Sequence, residues 1–493
     1  MEKIYLKAFG ALLIGASLTG CGDDFLDTKI YNGIDLDSGL NSVDNIGYAL
    51  NGTYDRLYRY YFAGNYSTLI GDIGSDITYW NNETNHFNSI YQFNYADTDL
   101  YLDNIWEYGY KVADNSARII EAALKLYDDA TDAEKSDIDL YLAEAYGLRA
   151  YAHLAMVNVY GHQVMVNGAS FASEPGIVVV DAPKSVTEEI TRSTVGETFT
   201  SIVSDLKNSI AKFESLGGDR GDLFYFNLSA AYGLLARTSL YLENYDDAIT
   251  YANKAIQESG ISSLTYTADG YKALFNGGAS NSESMFALAI DASNNWSANS
   301  CGTLFTTYGY NPSPYLLSLY GEHDVRLAVI NQFDSKSTDI VPVYAGGKFS
   351  AYSSGNTAYA TNYLINAPEM FLIQAEANLK KGNADASRQA LLVVAKRNLD
   401  ITSVSDLPSG NAELMQFIKD ERARELFQEG HRLWDLRRWD ESANLYAYNW
   451  PNITFRFKNV KVSNIVFPIP QAEINTHAGV EQTPDWNKTR PQE

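Results

Sequence analysis

The stretch SAAYGLLARTSLYLENYDDAITYANKAI, residues 229–256, decides the fold of this chain. Its apolar and small residues follow the spacing of two amphipathic helices joined by a short turn, as seen at Tyr232, Leu235, Ala236, Tyr245, Ala248 and Ala255. The small residues fall where the two helices would cross, and Tyr245 fills the turn. The stretch therefore predicts a helix–turn–helix unit, which needs neighbouring units to cover its apolar faces.

Two other parts of the chain predict units of the same kind. Residues 369–397 repeat the pattern around a turn at 380–383, and residues 132–160 with 198–214 form a third pair that a long loop interrupts. The offsets of the apolar and small residues resemble those of tetratricopeptide repeats. The sequence therefore predicts a mainly α fold of stacked tetratricopeptide-like helix pairs.

Helical periodicity predicts helices over residues 42–62, 98–127 and 132–160. Thr131 and Glu134 have the spacing of a capping box, which starts the third of these helices. We place on one apolar face of the first helix the residues Ile46, Ala49, Leu50, Tyr54, Leu57 and Tyr61.

Long irregular stretches separate the predicted helices, namely 64–97, 161–197, 257–360 and 440–493. Loops of this length are usually functional or contain short strands of their own. No linker rich in Pro, Gly or Ser divides the chain, so we expect one domain over residues 41–493, with a loop-rich cap and few short strands.

The first twenty residues have the composition of an export signal. Lys3 and Lys7 precede an apolar run from Ala8 to Leu18, which is too short to cross a membrane as a stable anchor. Leu18-Thr19-Gly20-Cys21 resembles the lipobox of bacterial lipoproteins. That resemblance implies a signal peptide over 1–20, acylation of Cys21 with chains such as palmitate, and a lipidated tether and extended segment over 21–40.

Charge and cysteine content exclude several classes of protein. The chain has a net charge of −24, which argues against nucleic acid as a partner and against docking on anionic lipid headgroups. Its two cysteines are Cys21 and Cys301. If Cys21 carries lipid, Cys301 is unpaired, and we interpret it as a small apolar residue in the core.

The chain contains no short motif that predicts catalysis or a metal site. Six His residues are scattered, and pairs of acids mean little in a chain with 61 of them. We interpret Asp72 and Asp76 as groups that make local hydrogen bonds, and residues 411–439, which include His431 and Asp435, as a charged network that holds the C-terminal helices on the core. We expect no cofactor; acidic loops leave a structural calcium ion open, although none has EF-hand spacing.

Several motifs in order resemble the SusD/RagB family of nutrient-uptake lipoproteins. Cys21 to Asp27 (CGDDFLD) resembles the start of the family's mature chains. Further matches are WEYGYKVADN at 106–115, the AEA–YG segment at 143–161, EMFLIQAEA at 369–377, RARELFQEGHRLWDLRRW at 422–439, and FPIPQAE at 467–473 with QTP at 482–484. The segments at 422–439 and 467–484 are the most specific. One departure follows Gly161, where the family commonly has Gly-Val-Pro and this chain has residues 162–165, HQVM.

The resemblance implies a lipoprotein on the outer face of the outer membrane that is not an enzyme. It implies a SusD-like fold, a SusC-type TonB-dependent transporter as partner, and capture of an oligosaccharide or other glycan for import. Peptide capture within the same family stays open. A surface glycoside hydrolase and a purely structural helix-repeat scaffold are alternatives from other classes.

A glycan site needs flat aromatic rings and polar groups on loops that a rigid scaffold positions. The candidates for such a site are residues of the first and third irregular stretches, namely Tyr79, Trp80, Asn81, Asn82, Trp296, Tyr308 and Tyr310. Trp80 and Trp296 are the strongest of them, because each is flanked by polar residues.

Overall fold

The computed structural model describes residues 39–82, 84–184, 188–330, 344–449 and 452–491. The predicted signal peptide and Cys21 lie outside the described residues. The helices are, in chain order, α1 Val43–Tyr58, α2 Tyr66–Ile73, α3 Asn88–Tyr91, α4 Leu100–Leu126, α5 Asp132–Tyr160, α6 Val195–Leu216, α7 Leu228–Tyr241, α8 Tyr245–Ser259, α9 Ala268–Ala273, α10 Cys301–Thr306, α11 Pro314–Ser318, α12 Leu327–Ile330, α13 Ala367–Lys380, α14 Ala384–Ala395, α15 Asn411–Glu425, α16 Arg432–Arg438, α17 Gln471–Ile474 and α18 Trp486–Thr489.

The long helices form a stack in which each packs on the next. Helix α1 packs on α4, α4 on α5, α5 on α6, α6 on α7, α7 on α8 and α8 on α13, which also contacts α14 and α15. The three predicted pairs are α5 with α6, α7 with α8, and α13 with α14. The prediction of a mainly α fold built from stacked helix pairs is confirmed.

The helix starts follow from local chemistry. At the start of α5, the hydroxyl of Thr131 accepts from the backbone N–H of Glu134 at 3.3 Å, and the Glu134 carboxylate accepts from the backbone N–H of Thr131 at 2.9 Å. The same capping box, made by Thr194 and Glu197, starts α6. The predicted helix over 132–160 is therefore confirmed at both ends.

Small residues let the helices of the stack approach neighbouring segments closely. A Cβ atom at Gly147 would lie 2.0 Å from the ring of Phe226, and one at Gly233 would lie 2.8 Å from Ile365. Both distances are shorter than packed atoms tolerate, so a larger side chain at either glycine would push neighbouring elements apart.

The first predicted helix is too long. Helix α1 ends at Tyr58, and the backbone of Arg59 turns to an extended ψ of 141°. Tyr61, which the apolar pattern places on the buried face of a helix over 42–62, instead lies in the turn that connects α1 to α2. A close contact at Gly64, described with the site below, ends the helix.

The cap is built from short strands and single turns. Its strands are β1 Thr78–Trp80, β2 Met165–Val166, β3 Ala169–Ser170, β4 Ser284–Ala287, β5 Tyr310–Pro312, β6 Tyr363–Asn366, β7 Ser442–Asn449 and β8 Asn452–Lys461. They pair antiparallel as β1–β5, β2–β3, β4–β6 and β7–β8. Single 3₁₀ turns lie at Gly278–Ser280, Ser297–Asn299, Gly347–Phe349, Thr357–Tyr359 and Val404–Asp406. The few short strands agree with the predicted cap.

A buried ionic network holds the C-terminal helices on the stack, as the charge pattern of residues 411–439 predicts. Arg422 binds Asp435 with two hydrogen bonds of 2.7 and 3.0 Å. Arg438 also binds Asp435, at 2.9 Å, and reaches Glu376 of α13 at 2.6 Å. All four side chains are buried. Breaking such a pair leaves a buried charge uncompensated, which typically costs about 3–5 kcal/mol.

One continuous cluster of buried apolar residues runs from Ile46 near the start of the described chain to Val480 near its end. The cap strands and the helix stack therefore share a core. Among the helices of the described ranges, none has the length and apolar character needed to cross a membrane.

Candidate functional site

Three of the rings expected to bind a ligand are buried. Tyr79 and Trp80 lie in β1 and Tyr310 lies in β5, with exposed fractions of 3%, 5% and 0%. Trp80 is paired with Tyr310 across the two strands, and the Tyr310 hydroxyl donates to the carbonyl oxygen of His86 at 2.7 Å. None of the three presents an open face, so their positions give no support to the prediction that they stack on a ligand.

The two asparagines after β1 join the cap strands together. Asn81 is buried, and its backbone N–H donates to the carbonyl oxygen of Gly309 at 2.9 Å. Asn82 is exposed and has a left-handed backbone with φ of 67°, which Asn tolerates better than most residues. Its side-chain amide donates to the carbonyl oxygen of Tyr448 at 2.7 Å. That amide is therefore used within the fold.

Trp296 and Tyr308, in contrast, are half-buried at the surface. The indole N–H of Trp296 donates to the carbonyl oxygen of Tyr58 at 3.0 Å, which fixes the orientation of the ring. Tyr308 stacks on His86 with 3.6 Å between ring centroids and 14° between planes. These two members of the predicted set remain accessible to a ligand.

Trp296 is one end of a row of four half-buried aromatic rings, which we call the aromatic row: Trp296, Tyr60, Tyr61 and Tyr108. The centroids of Trp296 and Tyr60 are 5.7 Å apart, those of Tyr60 and Tyr61 are 4.0 Å apart, and those of Tyr61 and Tyr108 are 4.7 Å apart. The rings come from the α1–α2 turn, from α4 and from the loop before the 3₁₀ turn Ser297–Asn299. The fold thus brings rings from three parts of the sequence onto one surface.

A second layer of rings supports the aromatic row from below. The ring of Tyr66 contacts Tyr60 edge-on at 5.6 Å and Tyr61 at 6.0 Å, and it packs against Tyr101 at 4.9 Å. Burial raises the pKa of Tyr66 and Tyr308 adds to that rise, so Tyr308 lies in the same neighbourhood. Tyr66 therefore supports Tyr60 and Tyr61 from their buried side.

The turn that carries Tyr60 and Tyr61 is compact. The backbone N–H groups of Phe62 and Gly64 both donate to the carbonyl oxygen of Arg59, at 2.9 and 3.0 Å. A Cβ atom at Gly64 would lie 2.2 Å from the carbonyl oxygen of Tyr58, so no other residue fits there without a shift. This close approach, which closes the turn directly after Tyr58, explains why α1 ends there although its apolar pattern continues.

Distant residues anchor the turn to the rest of the cap. The side-chain amide of Asn362 donates to the carbonyl oxygens of Ala63 and Gly64, at 3.0 and 2.9 Å. The Cys301 thiol also donates to the Gly64 carbonyl oxygen, at 3.3 Å. Cys301 is buried, which raises its pKa to about 12, so it remains an uncharged thiol as its interpretation as a core residue requires.

Polar side chains border the Trp296 end of the row. Asp291 is exposed and accepts from the backbone N–H groups of Ser293 and Asn294, at 2.7 and 2.9 Å. The side-chain amide of Asn65 donates to the carbonyl oxygen of Asn299 at 2.8 Å and so ties this loop to the α1–α2 turn. Of these side chains, Asp291 is exposed and its carboxylate can accept from the hydroxyl of a ligand, whereas Asn65 is buried.

A cation lies over the ring at each end of the row. The guanidinium carbon of Arg59 is 5.0 Å from the centroid of Trp296, and the Lys111 amine is 4.2 Å from the centroid of Tyr108. Each cation has an acid partner four residues earlier: Asp55 binds Arg59 and Glu107 binds Lys111. All four side chains keep a substantial exposed fraction.

Sequence reasoning missed Tyr60, Tyr61 and Tyr108. The apolar pattern assigns Tyr61 to a helix face, and Tyr108 lies in a long helix whose other rings are largely core. The signal was the density of tyrosine in LYRYYFAGNY at 57–66, around a glycine and an asparagine that are typical of a turn.

The carboxylates Asp72 and Asp76 have structural roles, but their side chains bind Gly430 and Arg432 and do not make the local hydrogen bonds that the sequence predicts. Asp72 accepts from the backbone N–H of Gly430 at 3.1 Å and from that of Arg432 at 3.4 Å. Burial raises the pKa of Asp72 to about 7. Asp76 binds the Arg432 guanidinium through two hydrogen bonds of 2.8 Å. Together the two acids attach α2 and β1 to the turn before α16.

His431 belongs to the same buried region. Its Nδ1 atom is 3.8 Å from the carboxylate of Glu369, and burial lowers its pKa to about 4, so the ring is neutral at pH 7. Asp435, one turn later, binds Arg422 and Arg438. Across the described residues, no group of three or more His, Cys, Asp or Glu side chains is placed to hold a metal ion.

Two protein-family models match the chain. The model described as "SusD family" matches residues 332–486, and the model described as "Starch-binding associating with outer membrane" matches residues 24–242. No curated protein sequence matches the chain.

Solved structures share the fold at low sequence identity. A SusD superfamily protein from Bacteroides thetaiotaomicron is 21% identical, with a TM-score of 0.76 over 90% of this chain and 100% of that one. A SusD superfamily protein from Bacteroides vulgatus is 22% identical, with a TM-score of 0.77 over 92% and 100%. A SusD-like carbohydrate binding protein from Bacteroides vulgatus is 17% identical, with a TM-score of 0.73 over 92% and 99%.

Proposed function

The chain belongs to the SusD/RagB family, and from that premise we propose that it captures oligosaccharides at the cell surface and passes them to a SusC-type TonB-dependent transporter. In this proposal residues 1–20 are removed on export and lipid on Cys21 holds the folded part on the outer membrane. The observation that carries the carbohydrate-binding part is the aromatic row.

The row has the chemistry that a glycan needs. Sugar rings have apolar C–H faces that pack on aromatic surface, while their hydroxyls need polar partners at the edges. The half-buried rings of the row supply the aromatic surface, and the exposed residues Asp291 and Asn294 supply polar partners for the hydroxyls. Several rings in succession suit an oligomer better than a single sugar.

The rigid support of the rings favours tight binding of a ligand. The indole hydrogen bond of Trp296 and the contacts of Asn362 with the α1–α2 turn fix the rings before a ligand arrives. Little conformational entropy is then lost on binding, so more of the stacking energy contributes to affinity.

We propose that the chain binds its glycan without altering it. A glycoside hydrolase needs two carboxylates on either side of the bond that it cleaves. Asp72 and Asp76, the pair singled out from the sequence, are instead engaged by backbone N–H groups and by Arg432. Their engagement supports a binding protein over an enzyme.

Isothermal titration against a panel of polysaccharides and peptides tests the proposal. We expect saturable binding to at least one glycan, and a loss of about tenfold or more on Trp296→Ala or Tyr61→Ala, since aromatic residues that anchor a ligand typically contribute about 2 kcal/mol. Tyr48→Ala is the matched control, because Tyr48 on α1 is 71% exposed and lies outside the row.

Each other outcome excludes part of the proposal. Wild-type affinity in folded Trp296→Ala and Tyr61→Ala would place the site elsewhere. Binding to peptides alone would favour the peptide-capture alternative, and shorter products after incubation with the glycan would favour a hydrolase. A chain that binds nothing in the panel would favour a structural scaffold.

The anchor and the partner need separate experiments. Cys21→Ser should move the protein from the outer-membrane fraction to the soluble fraction, and the wild-type protein should co-purify with a TonB-dependent transporter from detergent-solubilised membranes. An unchanged distribution of the variant would contradict the lipid anchor, and isolation of the wild-type protein alone would contradict the transporter partnership.

A further inference from the structure

A cavity of about 550 Å³, which we call the α4 cavity, lies beside helix α4. Residues of α4, of the segment 178–190 and of the short helix α17 line it. We propose that the α4 cavity is a second binding site, separate from the aromatic row, and that its ligand is a small organic cation with an apolar body, such as an aromatic amine. This site is independent of the glycan capture proposed above.

The α4 cavity and the aromatic row lie on different sides of α4. Trp106 and Tyr110 line the cavity, and Tyr108 of the row lies midway between them in the sequence. Two residues turn an α-helix by about 200°, so Tyr108 leaves the helix on nearly the opposite side from both. The ion pair of Glu107 and Lys111 separates the two sites, since both residues line the cavity and the Lys111 amine lies over the Tyr108 ring.

The walls of the α4 cavity are mainly apolar and are held in place by the fold. Val178, Val180 and Ile190 line it from the segment 178–190, and Trp106 and Tyr110 line it from α4 with 4.7 Å between their ring centroids. The backbone N–H of Val178 donates to the Tyr110 hydroxyl at 2.8 Å, which ties the segment to the helix. Concave, mainly apolar cavities of this size are typical of sites for small molecules, and fixed walls reduce the entropy that binding costs.

Both amines that line the α4 cavity are already paired with acids. Lys111 binds Glu107 four residues earlier on α4, and Lys184 binds Glu188 at 3.3 Å. Neither amine is therefore left to attract an anionic ligand.

Two carboxylates at the α4 cavity, in contrast, lack a basic partner. Asp103 of α4 and Glu473 of α17 line the cavity, and neither forms an ion pair with Lys or Arg in the part of the chain that the structure describes. The aspartate one turn beyond Tyr110, Asp114, binds Arg118 at 2.7 Å. The indole N–H of Trp106 donates to Oε2 of Glu473 at 3.1 Å and so orients that carboxylate at the wall. The cavity therefore presents negative charge that a cationic ligand can neutralise.

An amine on an apolar body matches both kinds of group. Its ammonium donates hydrogen bonds to carboxylates and is attracted to the faces of aromatic rings, while its body is removed from water between the aliphatic side chains. A neutral sugar would instead bury hydroxyls against valine and isoleucine without partners, which costs affinity. The α4 cavity thus differs from the aromatic row in the class of ligand that it suits.

Three probes that share one ring system test the charge of the ligand. The folded protein is titrated by calorimetry with 2-(1-naphthyl)ethylamine, 2-(1-naphthyl)ethanol and 1-naphthylacetate, which are cationic, neutral and anionic at pH 7. A cation about 4 Å from a carboxylate is favoured about fivefold in water, and by more where protein shields the pair. We therefore expect the amine to bind about tenfold or more tightly than the alcohol, and the carboxylate to bind weakest.

Charge variants locate the carboxylates that bind the amine. Glu473→Gln keeps an oxygen that can accept from Trp106 and removes the charge, and Asp103→Asn removes the second charge. Each should lower the affinity for the amine several-fold and leave that for the alcohol unchanged. Glu258→Gln is the matched control, because it removes the same charge from an exposed position on α8 that does not line the cavity.

A variant that fills the α4 cavity tests its position. Ala472 is exposed on α17 and lines the cavity, so Ala472→Trp should place an indole in the ligand's space and weaken binding of the amine and the alcohol by about tenfold or more. Ala386→Trp, at an exposed alanine in the first turn of α14, is the matched control and should leave both affinities unchanged. Tyr61→Ala, in the aromatic row, should also leave them unchanged.

The other possible results overturn the proposal. Equal affinities for the three probes, or equal effects of Glu473→Gln and Glu258→Gln, would exclude selection of a cation by this cavity. Binding of the amine that Ala472→Trp leaves intact, or that Tyr61→Ala removes, would place the amine elsewhere, and no binding of any probe would exclude the site. All of these results leave glycan capture untouched, whereas failure to bind any glycan overturns the proposed function and leaves the α4 cavity to be judged by the naphthyl probes.

Discussion

Replacing Gly64 by alanine should displace the turn that carries Tyr60 and Tyr61. The new Cβ would lie 2.2 Å from the carbonyl oxygen of Tyr58, and real Cβ atoms essentially never come closer than 3.0 Å, so the turn must open by about 0.8 Å or more. Overpacking of this kind typically costs about 1–3 kcal/mol of stability. Because binding sites tolerate only about 0.5 Å of displacement, we also expect glycan affinity to fall by about tenfold.

Gly52→Ala is the matched control, since Gly52 lies in α1 and a Cβ added there would have no atom within 4 Å. There alanine should raise the free energy of unfolding by about 0.5–1 kcal/mol, because it is the better helix former. Urea unfolding and isothermal titration of both variants measure the two effects. Equal stability and equal affinity in Gly64→Ala and Gly52→Ala would refute the argument that this contact shapes the site.

Three further predictions concern the buried groups. Burial raises the pKa of Asp72 from 3.8 to about 7. Between these pH values the native state keeps a proton that the unfolded chain loses, so the free energy of unfolding should fall as pH rises through this range. The fall should reach up to about 4 kcal/mol relative to Asp72→Asn. Arg438→Ala should lower the free energy of unfolding by about 3–5 kcal/mol, because it leaves the buried Glu376 without its cationic partner. Lys125→Ala, at an exposed ion pair, should change it by less than about 0.5 kcal/mol. Cys301 should react with iodoacetamide only after unfolding, because it is buried and its pKa is about 12; mass spectrometry of native and urea-treated protein measures this.

Each of these has a result that contradicts it. An identical pH dependence of stability in the wild type and Asp72→Asn would mean that the native carboxyl ionises normally. Similar losses of unfolding free energy in Arg438→Ala and Lys125→Ala would contradict a stabilising role of the buried network. Rapid alkylation of Cys301 in the folded protein would show that the α1–α2 turn opens readily.

The helix stack was predictable because its determinants are local. The capping box of Thr131 and Glu134 marks the start of α5, and small residues mark where a helix meets a neighbouring segment closely, as at Gly147. The end of α1 was not predictable, since it depends on the approach of Gly64 to the carbonyl oxygen of Tyr58 and on Asn362, which is distant in sequence.

The candidate site was hard to predict for the same reason, because its contacts join residues that are distant in sequence. Trp80 and Trp296 look alike in the sequence, because each is flanked by asparagine or serine. Trp80 is buried in a strand that pairs with Tyr310, whereas Trp296 is half-buried at the surface with its indole N–H bonded to the carbonyl oxygen of Tyr58. Both contacts join residues more than two hundred positions apart, which no local pattern encodes.

The aromatic row takes its rings from residues 60, 61, 108 and 296, and its support from residue 362. During synthesis the chain contains three of the four rings well before residues 296 and 362 are added, and the row cannot form until then. On the proposed function, truncated or partly folded chains should therefore fail to bind the glycan, so that glycan affinity reports complete folding. The loop around residue 296 and the turn around residue 60 are hydrogen-bonded to each other, through Trp296 to Tyr58 and through Asn65 to Asn299, so a change in one of them should also shift the rings carried by the other.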